Sequence, residues 1–296
     1  MDGAALVWGK TARMKVLVYA NCQSTAIGMM LGRLLDAEII KVPAVQNIPL
    51  GEKQAFMAKV AEAGIVVHQP IGAGFVASTD ELRDTFPDKT FVSFPSVYFA
   101  GLFPQVCGLK HFEYGTINGP LVAYHDARIA RSFLRGHTIA ECISGLNEHD
   151  PSLLAHFDPM FAEAETREAE LDVQCMDIVR DEFRNQQLFY TFNHPTNFLL
   201  FGIASRIARV LGKTPTSSVE DFPKPFLNGT IAAVPSTIAE HYDLAWRQPL
   251  YALGTNEIPD DKLVEDFYHT YSGFEDFAEV CRRNPTRVSL PLFARS

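Results

Sequence analysis

Between residues 14 and 35 the chain reads MKVLVYANCQSTAIGMMLGRLL, and this stretch limits the fold more than any other. Residues 15–20 are rich in β-branched and aromatic side chains, the composition of a buried strand. From Thr25 onward apolar residues recur at helical spacing through Ile27, Met30, Leu31, Leu34 and Leu35. Asn21, Cys22, Gln23 and Ser24 are thereby left on a strand-to-helix turn. The alternation continues with a strand at 38–42, a helix at 51–63 stopped by Gly64, and an apolar strand at 65–67 running into His68-Gln69-Pro70. Ser78 and Glu81 have capping-box spacing for a short helix to Phe86, and a strand at 90–94 is closed by Pro95. This β-α-β-α-β-α-β order predicts an α/β fold: a parallel sheet with right-handed crossovers, flanked by helices around a flavodoxin-like core.

The remainder reads as largely helical. Residues 95–120 interleave Tyr98, Phe99, Phe103, Phe112 and Tyr114 with glycines, either as a ligand wall or as an irregular packed connection. Helices are predicted at 121–135, 138–146 and 159–183, the last with room for a break. Residues 188–192 are read as a return strand of the same sheet, delivering Asn193 to Asn197 to a turn before an apolar helix at 198–211. A proline-rich stretch, 212–235, is expected on the surface, with helices at 260–271 and 274–282 after it. The predicted division is a disordered leader at 1–13, an α/β catalytic domain at 14–211 with a helical insertion at 121–185, and a mainly helical extension at 212–296 packed on the same domain.

Composition narrows the chemistry. A chain of 296 residues, 47% hydrophobic, can bury a full core. Its net charge of -9 argues against a general nucleic-acid or anionic-membrane surface. Cysteines at 22, 107, 142, 175 and 281 form no CxxC pair and are odd in number, which fits a reduced, cytoplasmic protein. No apolar run reaches membrane-spanning length. His68, His125, His194 and the carboxylates lack metal-binding spacing, so no metal is expected.

Cys22 stands where unpaired N–H groups and the positive end of a helix dipole favour a thiolate, the position of a nucleophile. The alternative is a small buried hydrophobe. His68 and His194 each follow an apolar stretch and are expected at the same sheet edge as Cys22. His194 is the preferred base, with Pro195 fixing the backbone and Asn193, Thr196 and Asn197 orienting the ring. His68, beside Gln69, is a second base or an oxyanion donor, or else a residue making one structural hydrogen bond. The backbone of Cys22 and Gln23, with the side chains of Asn21 or Gln23, would complete the oxyanion donors.

NCQS after the first strand, HQP after the third, PSVYFAGLFP in the aromatic loop and FNHPTN before the apolar helix together resemble the WcbI polysaccharide-biosynthesis enzymes over residues 15–211. These are predicted acetyltransferases that bind coenzyme A. The resemblance implies acyl transfer from acetyl-coenzyme A to the hydroxyl of a sugar or other small acceptor. It also implies a cationic site for the coenzyme's phosphates. Two helical stripes offer one: Arg128, Arg131 and Arg135, and Arg206, Arg209 and Lys213. Ser24 joins them on the turn, and Tyr98, Phe99 and Phe103 could pack on adenine or sugar. A more distant likeness to SGNH hydrolases places Cys22 at their serine, Asn21 at their aspartate and His194 at their histidine. Thr191 stands where the orienting carboxylate would be and cannot replace it. Direct transfer without a covalent step, a cysteine-dependent esterase or deacetylase, and a non-catalytic glycan- or nucleotide-binding protein are the alternatives. Oligomeric state, a homo-oligomer included, is left open.

Overall fold

The computed structural model describes residues 13–284, so the leader expected at 1–13 and the final residues of the extension lie outside the described residues, save Arg13. The chain forms two compact units. The first comprises the chain through Ser96, Glu170–Cys175 and Leu200–Lys224; the second comprises Val97–Ala169, Met176–Leu199 and the chain from Pro225.

In the first unit β1 (Lys15–Tyr19), α1 (Ser24–Leu34), β2 (Glu38–Ile40), α2 (Lys53–Glu62), β3 (Ile65–His68), α3 (Thr79–Thr85) and β4 (Thr90–Ser93) alternate as predicted. The strands form one parallel sheet in the order β2-β1-β3-β4. Every residue of β3 is buried, as are the last four of β1, which explains their unbroken apolar runs. Leu17, Tyr19 and Val66 meet Phe56 and Val60 of α2 and Leu82 of α3 in the core. Each such fully buried side chain stabilises the fold by about 1.5–3 kcal/mol. Gly28 and Gly32 let α1 lie close to β2, since a Cβ at Gly32 would stand 3.1 Å from Ile39. Ser78 caps α3 by accepting the Glu81 N–H at 3.1 Å. Register pairs Tyr19 with His68 and His68 with Ser93, so the carboxyl ends of β1, β3 and β4 lie level.

The second unit departs further from the sequence reading. The aromatic stretch holds two short strands, β5 (Val106–Gly108) and β6 (Lys110–His111), followed by β7 (Gly115–Thr116) and β8 (Tyr124–Asp126). β5 pairs with β8 and β6 with β7, both antiparallel. The helix expected from 121 therefore starts only at α4 (Ala127–Leu134), where Asp126 caps it by accepting the Arg128 N–H. α5 (Ile139–Asn147) begins with a full capping box from Thr138 and Glu141. The long helix at 159–183 is two, α6 (Phe157–Glu168) and α7 (Met176–Glu182).

β9 (Phe189–Thr191) is no return strand of the parallel sheet. It turns back on itself and pairs antiparallel with β10 (His194–Pro195). α8 (Asn197–Val210) follows. The proline-rich stretch is not all surface: Thr230 and Ala232 to Val234 are buried, with Ala232 N–H donating to the Tyr190 carbonyl. β11 (Thr230–Ile231), α9 (Ser236–His241), β12 (Ala252–Leu253), β13 (Asn256–Glu257), α10 (Asp260–Ser272) and α11 (Phe277–Arg283) complete the chain. Among the described residues no helix is long and apolar enough to cross a membrane.

Candidate functional site

In the first unit the turn that carries Cys22 is fastened across the ends of three strands. Asn21 N–H donates to Gln69 Oε1 at 3.0 Å, and Gln69 Nε2 donates to Gln23 Oε1 at 3.0 Å and to the Pro95 carbonyl at 3.3 Å. Asn21 Oδ1 accepts the Gln23 N–H at 3.0 Å, and its Nδ2 donates to Ser96 Oγ at 3.1 Å. The Asn21 carbonyl accepts the Ser24 N–H at 2.9 Å. Gln23 and Gln69 are buried, so the polar tetrad is internal scaffolding as much as surface. This corrects the oxyanion reading: both amide hydrogens of Gln69 and the backbone N–H of Gln23 already have acceptors. They position the turn. The Ser24 hydroxyl is buried on the same turn with no hydrogen-bond partner among the described residues, an orphan that a bound polar group would satisfy.

Cys22 itself is partly exposed, while Cys107, Cys142, Cys175 and Cys281 are buried. Burial pushes its thiol pKa up, and the hydrogen bond from its own backbone N–H only partly offsets this. The expected lowering by the helix terminus is overcome by desolvation, so the thiol rests protonated.

His68 does lie at the carboxyl end of β3, yet its ring is fully committed. Arg83 can only donate, so His68 Nε2 accepts from it at 3.1 Å, and Nδ1–H donates to the Gln69 carbonyl at 3.0 Å. Burial lowers its pKa and holds it neutral. With no free lone pair, it is neither base nor donor. Beside it Ser93 gives Asp172 two hydrogen bonds of 2.7 Å, which keep that carboxyl below its ordinary pKa although burial opposes ionisation.

In the second unit His194 opens β10. Tyr124 Oη donates to Asn193 Oδ1 at 2.8 Å and lies 3.4 Å from His194 Nε2; Thr191 Oγ1 donates to Asn193 Oδ1 at 3.0 Å. His194 Nδ1 is buried without a partner among the described residues. Burial lowers the pKa, leaving a neutral imidazole with a basic nitrogen in hand. Thr191 thus serves Asn193 rather than the ring. Since β9 and β10 make their own sheet, His194 does not share the parallel-sheet edge with Cys22: the two belong to different units. Asn197 Oδ1 accepts the Phe226 N–H at 3.2 Å, a structural role.

The expected cofactor residues separate by what already holds them. Arg128 is half-buried, with Nη2 and Nε on Asp126 at 2.7 and 3.1 Å, and Tyr251 gives Asp126 a further bond of 2.8 Å. It is not free for a ligand. Arg131 and Arg135 line an open cleft of about 360 Å³ with Ser132, His137 and Glu141, and among the described residues neither guanidinium has an acceptor. Arg206 donates to the Gln174 carbonyl at 2.8 Å, and Arg209 is exposed. Phe99 packs against Phe157, Phe161 and Phe189 and belongs to the core, whereas Tyr98 is half-buried beneath Arg167. Tyr124 was hidden from the sequence reading by its assignment to a helix; the signal that would have exposed it is Asp126, a capping residue just before Ala127-Arg128. No group of three or more histidine, cysteine or carboxylate side chains fit for a metal occurs among the described residues.

A parallel sheet with a cysteine-bearing turn at the carboxyl end of its first strand places this chain among α/β proteins that offer ligands to their strand ends. More particularly, the model of the WcbI polysaccharide biosynthesis enzymes matches residues 15–216, and the chain belongs to that family. A solved structure is similar over 92% of this chain and 96% of its own, with 22% sequence identity and a TM-score of 0.75. It is described as WcbI, a polysaccharide biosynthesis enzyme, in its native form without a disulfide bond between coenzyme A and one of its cysteines. No curated protein matches the chain.

Proposed function

We propose that this enzyme transfers an acyl group, acetyl in the simplest case, from coenzyme A to a sugar hydroxyl during polysaccharide biosynthesis, with Cys22 at the thioester end of the coenzyme. One observation carries the reading. Of five cysteines Cys22 is the one that is not buried, and it stands at the strand end where ligands gather. The similar structure is described as a form without a disulfide bond between coenzyme A and one of its cysteines, and Cys22 is the cysteine that a coenzyme thiol could approach here.

The residues fit such a ligand. The orphan Ser24 hydroxyl offers a donor near Cys22, and Arg131 and Arg135 offer uncommitted cations for phosphate. Acetyl-coenzyme A supplies the activated acyl group. Transfer needs a base that takes the acceptor's hydroxyl proton as the new ester bond forms and returns it to the departing thiolate, and His194 of the second unit is the candidate for that role. Burial lowers its pKa and so favours the neutral ring, the state a base requires.

The test is a transfer assay with acetyl-coenzyme A and a panel of sugar acceptors, run on the wild type, Cys22→Ala and His194→Gln. Loss of turnover in His194→Gln with coenzyme binding retained supports the base. Intact-mass analysis then separates the two routes: an acetyl adduct on Cys22 supports a covalent step, and its absence from an active enzyme leaves direct transfer. Full activity in both variants, or an unchanged melting curve in excess coenzyme A, rejects the assignment.

A further inference from the structure

The hairpin formed by β6 and β7 presents aromatic rings to solvent in an unusually fixed way. Tyr114 is 76% exposed and Phe112 50%, while His111 between them is buried. The His111 ring stacks on Phe112 at 4.4 Å and on Tyr114 at 4.5 Å, with interplanar angles of 23° and 25°. Arg283 lies over Phe112 at 4.7 Å. The result is a pile of Arg283, Phe112, His111 and Tyr114.

Each layer is locked. His111 Nδ1 accepts the backbone N–H groups of Glu113 and Tyr114 at 3.0 and 3.3 Å, so Nε2 carries the proton and donates to Asp276 at 3.1 Å. Asn284 grips the strand at both ends of one peptide position, accepting the Lys110 N–H at 2.8 Å and donating to its carbonyl at 2.9 Å. Gly115, with φ of +80°, closes the turn in a conformation that favours glycine. Arg283 is held by Glu279 at 2.6 Å. A hairpin tip is stable with polar residues, whereas this one fixes two large exposed rings in a stack.

We propose that the Tyr114 face of this stack is a carbohydrate-stacking subsite that holds a pyranose ring of the glycan acceptor. Size chooses the occupant. A stable protein interface buries roughly 800 Å² on each partner, far more than two rings supply. Val122 and Ile139, the other strongly exposed large apolar residues of this unit, lie on other elements. One ring face matches one sugar, whose axial C–H groups form an apolar face and whose hydroxyls point outward. A pre-ordered tyrosine loses little side-chain entropy on contact. The inference rests on the glycan acceptor named above, but not on the coenzyme or on Cys22.

Titration of the full chain with cellohexaose, chitohexaose and isomaltohexaose, without coenzyme A and followed by saturation-transfer NMR and calorimetry, tests it. Expected is saccharide binding in the millimolar range that Tyr114→Ala weakens about tenfold, equivalent to 1.4 kcal/mol, and that Tyr114→Trp restores. Binding unaffected by Tyr114→Ala, no binding of any of the three probes, or self-association abolished by Tyr114→Ala without saccharide binding would each overturn it. Because no coenzyme is present, failure of acyl transfer leaves this readout untouched.

Discussion

Gln69 Nε2 donates to Gln23 Oε1 at 3.0 Å from the end of a neighbouring strand, so the turn that carries Cys22 is set by β3 as well as by its own sequence. Replacing Gln69 with leucine takes away the acceptor of the Asn21 N–H and the donor to Gln23 Oε1 and the Pro95 carbonyl, all made by a buried side chain. Each unsatisfied buried group costs about 1–3 kcal/mol, so Gln69→Leu is expected to lower the denaturant midpoint by the equivalent of roughly 2–4 kcal/mol. Gln69→Glu, which keeps the acceptor for Asn21 but turns a buried donor into an acceptor facing Gln23 Oε1 and the Pro95 carbonyl, should lose at least as much. Urea titrations of both variants against the wild type decide this; equal midpoints would show that the network holds nothing in place.

Cys22 is expected to react slowly and late. Its thiol is raised above the ordinary value of 9.0 by burial, so alkylation of the native protein by iodoacetamide should keep accelerating with pH beyond the point where a free thiol levels off. Peptide mapping should find the label on Cys22 and not on the four buried cysteines. Coenzyme A should protect it. A rate that plateaus near neutral pH would mean a stabilised thiolate and return the helix dipole to the leading role.

The first unit was largely legible in the sequence because each of its signals is local: an apolar strand, a polar turn, a helical stripe, repeated with little between them. The second unit was not, for two physical reasons. β8 is three residues whose pairing partner β5 lies sixteen residues or more upstream, and a strand that short carries no period of its own. The 189–191 segment looked like a sheet strand because it is apolar, yet apolarity records burial rather than partner, and here the partner is the two-residue β10. The site shows the same division. That Cys22 sits on a strand-helix turn followed from sequence spacing; that Arg83 occupies the last lone pair of His68 needed coordinates.

Acid sensitivity should trace to His125. It is buried, Nε2–H donates to the Ile117 carbonyl at 2.9 Å, and Nδ1 accepts from Tyr271 at 3.1 Å. Burial lowers its pKa from 6.5 to about 4. The unfolded chain therefore binds a proton that the folded chain refuses between those two values, and stability rises with pH across that window. Above 6.5 the contribution is fully present; it is lost as pH falls from 6.5 toward 4, by about 3 kcal/mol at the 1.36 kcal/mol per pKa unit that linkage sets. His125→Gln keeps a donor and an acceptor but does not titrate. Its stability difference from the wild type, measured by urea unfolding at pH 7 and pH 4.5, should shift in the variant's favour at the lower pH. A difference that does not change with pH would remove His125 as the cause.

Arg131 and Arg135 should discriminate coenzyme A from its 3′-dephospho form. Both line the α4–α5 cleft without an acceptor, whereas Arg128 of the same stripe is consumed by Asp126. Burial lowers the Arg131 pKa, with Asp126 and Asp150 opposing that shift, so its charge is only partly compensated within the fold. A phosphate dianion placed there would gain charge-assisted hydrogen bonds at about 1.5–3 kcal/mol each. Arg131→Gln is then expected to weaken coenzyme A about tenfold or more, about 1.4 kcal/mol, while leaving dephospho-coenzyme A unchanged. Asp150 lines the same cleft, and Asp150→Asn should tighten coenzyme A by relieving repulsion, the opposite sign from the same region. Calorimetry with both ligands on the two variants reads both signs at once; equal losses for the two ligands in Arg131→Gln would move the phosphate site elsewhere and leave these arginines as a solvated face of α4.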